Sequence, residues 1–86
     1  MRSVTKVELI HFLKQKISEE CEIPLEQIDE DAEFEHLNMD SVNAMMIMDA
    51  LEDYLEMELN PLYFWNHPTV AKYAKFIVEE LQTSSS

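Results

Sequence analysis

The stretch DSVNAMMIMDALEDYLE, residues 40–56, is typical of an amphipathic helix with two possible caps side by side at its start. At about 100° per residue, its apolar side chains gather on one face. This predicted core face consists of Ala44, Ile47, Met48, Leu51, Tyr54 and Leu55. Asp40 and Ser41 can each accept hydrogen bonds from the free N–H groups of a first helical turn. Because one cap is enough, the second residue is available for another role.

The opposite face of this helix combines apolar residues near Ser41 with acidic residues further along. Isolated surface hydrophobes are normal, so Met45 and Met46 can be read simply as contacts to a neighbouring loop. An apolar cluster continued by acids instead favours a docking surface for a partner protein. The predicted partner-binding residues are Val42, Met45, Met46, Asp49, Glu52, Asp53 and Glu56.

Elsewhere the apolar residues recur mostly at three- and four-residue steps, which predicts an all-α fold. Thr5 caps a first helix that ends before Pro24, and Asn60 with Pro61 opens a short helix that ends at residues 67–68. Thr69 caps the last helix. The predicted inward stripes are Val7, Ile10, Leu13, Ile17 and Cys21 in the first helix, and Val70, Ala74, Ile77 and Leu81, flanked by Tyr73 and Phe76, in the last.

A long acidic connection, residues 23–39, separates the first two long helices. A compact domain tolerates such a loop only when side chains anchor it, and Ile28, Phe34 and Leu37 are the predicted anchors. Residues 1–82 are therefore expected to form one domain of three main helices and one short helix. Residues 83–86, TSSS, are expected to form a disordered tail.

Composition narrows the classes of function. The 86 residues carry 18 acidic and 6 basic side chains, a net charge of −12, which disfavours nucleic acid and membrane surfaces and favours basic protein partners. The chain has no glycine, which excludes glycine-rich phosphate loops and the G-x-S-x-G nucleophile turn. Its single cysteine, Cys21, cannot form an internal disulfide and is expected to be a buried structural thiol in a cytoplasmic protein.

Neither a catalytic centre nor a metal site is predicted. The histidines are His11, His36 and His67, and His36 precedes Ser41 by five residues without a third residue to orient it. The acidic run DEDAEFE, residues 29–35, lacks the spacing and the glycine of a calcium loop.

The stretch FEHLNMDSVNAMMIMDALEDYLEMELNPLYFWNHPTVAKYAKFIVEEL, residues 34–81, resembles an acyl carrier protein domain. In that family an Asp-Ser-Leu or Asp-Ser-Ile triplet opens the second helix, as residues 40–42 do here. Further matches are the Leu-Glu pair at residues 51–52, the Leu-Asn-Pro turn at 59–61 and HPTV at 67–70. The resemblance implies the four-helix carrier bundle.

The resemblance also implies a role for Ser41. In carrier proteins this serine receives 4′-phosphopantetheine from coenzyme A through a phosphopantetheinyl transferase, and acyl groups then travel as thioesters on that arm. Asp40 would cap the helix, and the helix dipole would favour the phosphodiester on Ser41. The implied partners are an acyltransferase or acyl ligase, a ketosynthase and other thioester-processing enzymes, which act on a monomeric carrier without activity of its own.

The finer type of carrier follows from a few positions. Asn38 stands where most members have glycine, and asparagine is the non-glycine residue best able to adopt positive φ. Val42 is shorter than the usual leucine or isoleucine. Met39 resembles the residue that acyl carriers of fatty acid or polyketide systems have before the serine motif, in contrast to peptidyl carriers. The stretch LYFWNHPTVAKYAKFI, residues 62–77, is closer to polyketide-type carriers, which favours a polyketide or related secondary-metabolite pathway over fatty acid biosynthesis. A peptidyl or aminoacyl carrier of a nonribosomal peptide system and an unmodified helical interaction module are the alternatives.

Overall fold

The computed structural model describes residues 4–37 and 39–84, with side chains up to residue 81. This part of the chain forms four α-helices. The loop between the first two contains two short 3₁₀ turns. The helices are α1 (Lys6–Cys21), α2 (Ser41–Leu55), α3 (Pro61–Asn66) and α4 (Val70–Ser84), and the 3₁₀ turns are Leu25–Gln27 and Phe34–Leu37. The predicted all-α fold is confirmed, with α1, α2 and α4 as the main helices and α3 as the short one.

Local hydrogen bonds explain where the helices begin and end. Each helix starts after the predicted capping residue, and these caps are Thr5, Asp40, Asn60 and Thr69. α1 and α2 each end on a glutamate in the left-handed region, Glu22 and Glu56, both with φ of 57°. The N–H of each glutamate donates to the carbonyl four residues earlier, at Ser18 and Glu52. Glycine usually fills such positions, so both ends carry backbone strain.

The core is formed by one row of residues from each long helix. α2 buries Ala44, Ile47, Met48, Leu51 and Leu55, and α4 buries Val70, Tyr73, Ala74, Ile77 and Leu81, as predicted. At the edge of the core face, Tyr54 is half-buried and stacks on Phe12 with ring centroids 4.2 Å apart. Phe76 is likewise half-buried beside the stripe of α4.

The predicted stripe of α1 was wrong in part. Leu9, Leu13 and Ile17 are fully buried, whereas Val7 is 75% exposed and Ile10 is half-buried. α1 carries apolar residues on two adjacent rows and packs against both α2 and α4. Only this packing decides that the row at four-residue steps from Leu9 enters the core.

The long loop is anchored as predicted. Its three anchors are buried, namely Ile28, Phe34 and Leu37, and Met39 is buried as well. The Phe34 N–H donates to the Pro68 carbonyl at 2.8 Å, and the Ala71 N–H donates to the Glu30 carbonyl at 2.9 Å. The loop is therefore attached to the beginning of α4, which fixes the segment that leads into α2.

Two predicted features involve residues outside the described ranges. Asn38, with its expected turn, is one of them, as are residues 85–86 of the expected tail. The backbone of Thr83 and Ser84 belongs to α4, which runs two residues past the predicted domain boundary. Among the described residues, no helix is long and apolar enough to cross a membrane.

Candidate functional site

The first turn of α2 is held by a reciprocal pair of hydrogen bonds. Asp40 Oδ1 accepts from the Asn43 N–H at 2.8 Å, and Asn43 Oδ1 accepts from the Asp40 N–H at 3.4 Å. Asn43 Nδ2 also donates to the Glu20 carbonyl at 3.3 Å, which ties the start of α2 to the end of α1. Sequence reasoning missed Asn43, although its position three residues after the cap is the signal of a capping box.

Ser41 is the first residue of α2, and its side chain is exposed. None of the described residues forms a hydrogen bond with its hydroxyl, because Asp40 and Asn43 supply the cap. The N-terminus of a helix carries roughly half a positive charge, which stabilises a phosphate group placed there. The position thus suits a serine hydroxyl that is to be esterified by a phosphate-containing group such as 4′-phosphopantetheine.

The predicted partner-binding residues next to Ser41 are brought together on the outer side of α2. Val42, Met45 and Met46 are 66%, 64% and 52% exposed, and this trio is called the apolar patch below. The exposed acids that continue this face are Asp49, Asp53 and Glu56. An exposed apolar patch with a charged margin has the composition of a small docking surface.

Glu52 differs from the other acids of this face. It is half-buried, and its Oε2 accepts a hydrogen bond of 2.7 Å from the Leu59 N–H. The Glu52 carboxylate therefore holds the connection between α2 and α3. The other three acids are more exposed and are better placed to meet a partner.

Two titratable groups of the described residues have raised pKa values, the half-buried Cys21 and the buried Tyr73. Burial raises the pKa of the Cys21 thiol, and the carboxylates of Asp40 and Glu20 raise it further. The thiol is therefore protonated at neutral pH and a poor nucleophile. The expected burial was wrong in part, because Cys21 is half-buried at the edge of the core. Burial also raises the pKa of the Tyr73 hydroxyl, with a further contribution from Glu52. Among the described residues, this hydroxyl has no hydrogen-bond partner.

The structure gives His36 and His67 contacts with residues other than Ser41. Among the described residues, no hydrogen bond joins His36 to Ser41. His36 instead lies beside Glu33 and Glu35, and an imidazole nitrogen and one carboxylate oxygen from each glutamate are within 4.8 Å of one another. Such exposed acidic groups are common in proteins without a metal ion. His67 packs at the junction of α3 and α4, where its ring stacks on Phe76 at 4.4 Å.

The sequence matches a known family and several curated proteins. Residues 11–77 match the family model described as "Phosphopantetheine attachment site". The chain is 35% identical over 68 residues to polyketide synthase PksN of Bacillus subtilis, covering 79% of this chain and 1% of that protein. It is 33% identical over 60 residues to a non-reducing polyketide synthase of Zymoseptoria tritici, covering 70% of this chain and 3% of that protein. The chain therefore spans only a small part of these relatives.

A solved structure with the same fold aligns with most of this chain. It is a free-standing peptidyl carrier protein from an uncharacterized secondary metabolic pathway of Acinetobacter baumannii, with a TM-score of 0.83 and 30% sequence identity. The alignment covers 88% of this chain and 95% of that protein. Together with the helical bundle and the family match over residues 11–77, this similarity shows that the chain belongs to the family of phosphopantetheine-binding carrier domains.

Proposed function

We propose that Ser41 is the attachment point of 4′-phosphopantetheine and that the domain carries acyl intermediates of polyketide assembly. The observation that carries the assignment is the exposed, unbonded Ser41 hydroxyl at the start of α2, beside a cap that is complete without it. In the transfer, the Ser41 hydroxyl attacks the phosphorus next to the pantetheine of coenzyme A, loses its proton and displaces adenosine 3′,5′-bisphosphate. The phosphodiester that forms lies at the helix N-terminus, where the dipole favours its negative charge. The attached group supplies a terminal thiol that holds acyl groups as thioesters.

The chain's own residues bind and present the cargo arm without catalysing a reaction. Asp40 and Asn43 hold the first turn of α2 through their two hydrogen bonds, and the Ser41 side chain of this turn is exposed to a partner. The apolar patch gives each partner a surface beside the attachment point. The proposed partners are a phosphopantetheinyl transferase, an acyltransferase or acyl ligase, and a ketosynthase, each of which meets a monomeric carrier in the cytoplasm.

Two findings bear on the choice of pathway. The curated relatives described above are polyketide synthases, which supports the polyketide assignment made from residues 62–77. The structural neighbour with 30% identity is a peptidyl carrier, which favours an aminoacyl or peptidyl cargo as the second candidate. Loading of the modified protein by a malonyl-specific acyltransferase, compared with loading by amino-acid-activating enzymes, separates these two candidates.

Intact-mass measurement after incubation with coenzyme A and a broad-specificity phosphopantetheinyl transferase tests the attachment itself. We expect the wild-type protein to gain the mass of one phosphopantetheinyl group and Ser41→Ala to gain none. Ser84→Ala is the matched control and should be modified like the wild type. Modification of Ser41→Ala would disprove the assignment, and a wild-type protein that gains no mass would favour the unmodified interaction module.

A further inference from the structure

The short helix α3 presents apolar side chains away from the core. Phe64 is fully buried and its ring stacks on Phe34, with centroids 4.4 Å apart and ring planes 6° apart. This stack fixes the rotation of α3, so that Leu62 and Trp65 point outward and are 65% and 48% exposed. Residues three apart share one face of a helix. α3 therefore offers a compact apolar surface that the fold itself does not use.

Trp65 also forms one wall of a groove between α3 and the long loop. The groove, about 270 Å³ in volume, is lined by Glu33, Phe34, Glu35, Trp65 and Pro68, and it is called the Trp65 groove below. Sites for drug-sized molecules usually occupy about 300–1,000 Å³. The Trp65 groove is smaller and therefore suits one long side chain of a partner protein.

The charges at the Trp65 groove define what that side chain should be. Glu33 and Glu35 are exposed. One carboxylate oxygen of each and an imidazole nitrogen of His36 lie within 4.8 Å of one another. Within the described part of the chain, the one ion pair joins Lys16 and Glu19, so neither groove carboxylate is paired with a lysine or an arginine. A cation placed here would relieve the repulsion between the two carboxylates.

We propose that the Trp65 groove is a docking site for an arginine on a basic protein partner. A planar guanidinium can stack on an indole ring and form paired hydrogen bonds with a carboxylate, and the groove places both features side by side. Leu62 provides apolar contact next to this arginine. The net charge of −12 attracts a basic partner and opposes pairing of two copies of this chain.

The residues that line this docking site belong to the long loop, to α3 and to the segment before α4, and none belongs to α2. The site does not require the modification of Ser41. It therefore goes beyond the proposed carrier function. Trp65 is the single tryptophan of the chain, so its indole N–H gives one resonance that reports directly on the groove.

The test is a titration of the full chain with acetyl-Leu-Arg-Leu-amide, followed by the indole resonance and by tryptophan fluorescence. We expect a saturable change, and at least fivefold weaker binding of the uncharged analogue with citrulline in place of arginine. The double variant Glu33→Gln/Glu35→Gln should weaken binding of the arginine peptide at least fivefold. Asp49→Asn/Asp53→Asn changes the net charge by the same amount on α2 and should bind like the wild type.

Ser41→Ala should bind the peptide unchanged, which separates this inference from the carrier assignment. Circular dichroism melts of each variant verify that the helical bundle is intact. Equal binding of the arginine and citrulline peptides would overturn the proposal, because the contact would then be merely apolar. An equal loss of binding in both double variants would overturn the proposal as well, since long-range charge alone would then explain the attraction. The absence of any saturable change in the titration would also overturn it.

Discussion

Asp40 and Asn43 cap α2 by exchanging hydrogen bonds, with 2.8 Å from the Asn43 N–H to Asp40 Oδ1 and 3.4 Å from the Asp40 N–H to Asn43 Oδ1. This pair provides hydrogen-bond acceptors for the N–H groups of Asp40 and Asn43, and the Ser41 side chain takes no part in it. Ser41 therefore contributes little to the folding of the helix that it begins. The separate contributions of Asp40 and Ser41 to stability can be measured with single variants.

The first prediction concerns this cap. Asp40→Ala should destabilise the protein by about 1 kcal/mol, since it removes the N-cap hydrogen bond. Asp40→Asn keeps an acceptor oxygen and should remain close to the wild type, and Ser41→Ala should not change the stability measurably. Urea denaturation followed by circular dichroism compares the three variants. If Ser41→Ala cost as much as Asp40→Ala, the cap would have been assigned to the wrong residue.

The second prediction concerns the exposed acids on the outer face of α2. Asp49→Lys/Asp53→Lys should slow transfer of phosphopantetheine to Ser41 about tenfold at low salt, because basic partners are then steered less effectively. The defect should shrink as the salt concentration rises. Glu26→Lys/Glu80→Lys changes the net charge equally at other exposed positions and is the control. A defect independent of salt would show that these aspartates do not act by steering.

The third prediction concerns the apolar patch. Met46 is 52% exposed, so Met46→Glu should leave the melting temperature nearly unchanged. It should nevertheless weaken docking at every salt concentration, since a carboxylate at the dry centre of a contact must be desolvated. Rates of Ser41 modification and thermal melts measure the two effects. A large drop in melting temperature would instead place Met46 in the core.

The fourth prediction concerns the crowded acids of the long loop, where Glu26, Asp29, Asp31, Glu33 and Glu35 are all exposed. Mutual repulsion should lower stability at low ionic strength, and screening should relieve it. We expect the melting temperature to rise by ~4 °C between low and moderate salt, equivalent to roughly 1 kcal/mol for a domain of this size. Divalent cations should act in the same direction. A flat or falling melting temperature would contradict this prediction.

The fifth prediction concerns the buried hydroxyl of Tyr73. Burial and then Glu52 raise the pKa of this group in the folded protein, while an unfolded tyrosine ionises near pH 10. The unfolded state therefore loses its proton first, and stability should fall as the pH rises above about 10. Tyr73→Phe removes both this loss and an unpaired buried hydroxyl. Denaturation at pH 7 and above pH 10 should show a gap in favour of Tyr73→Phe that widens with pH.

Much of this protein follows from local sequence. The helix starts were predictable because the side chain of a cap accepts a hydrogen bond from an N–H group two or three residues later, as Asp40 and Asn60 do. The two faces of α2 were predictable because helical periodicity separates them, and the exposure of Met46 on one side and the burial of Leu51 on the other agree with it. The candidate attachment serine was recognisable from the ordered motifs around it, and its exposure is consistent with that role.

Contacts between segments distant in sequence decided the rest. The burial of Leu9 instead of Val7 depends on how α1 meets two other helices. The attachment of the long loop to the start of α4 depends on the hydrogen bond from the Phe34 N–H to the Pro68 carbonyl. The Trp65 groove exists only because Phe34 and Phe64 stack across thirty positions of sequence. Residue type and periodicity set which side chains can be buried or paired, but the partner of each is determined by packing, which is a property of the whole fold.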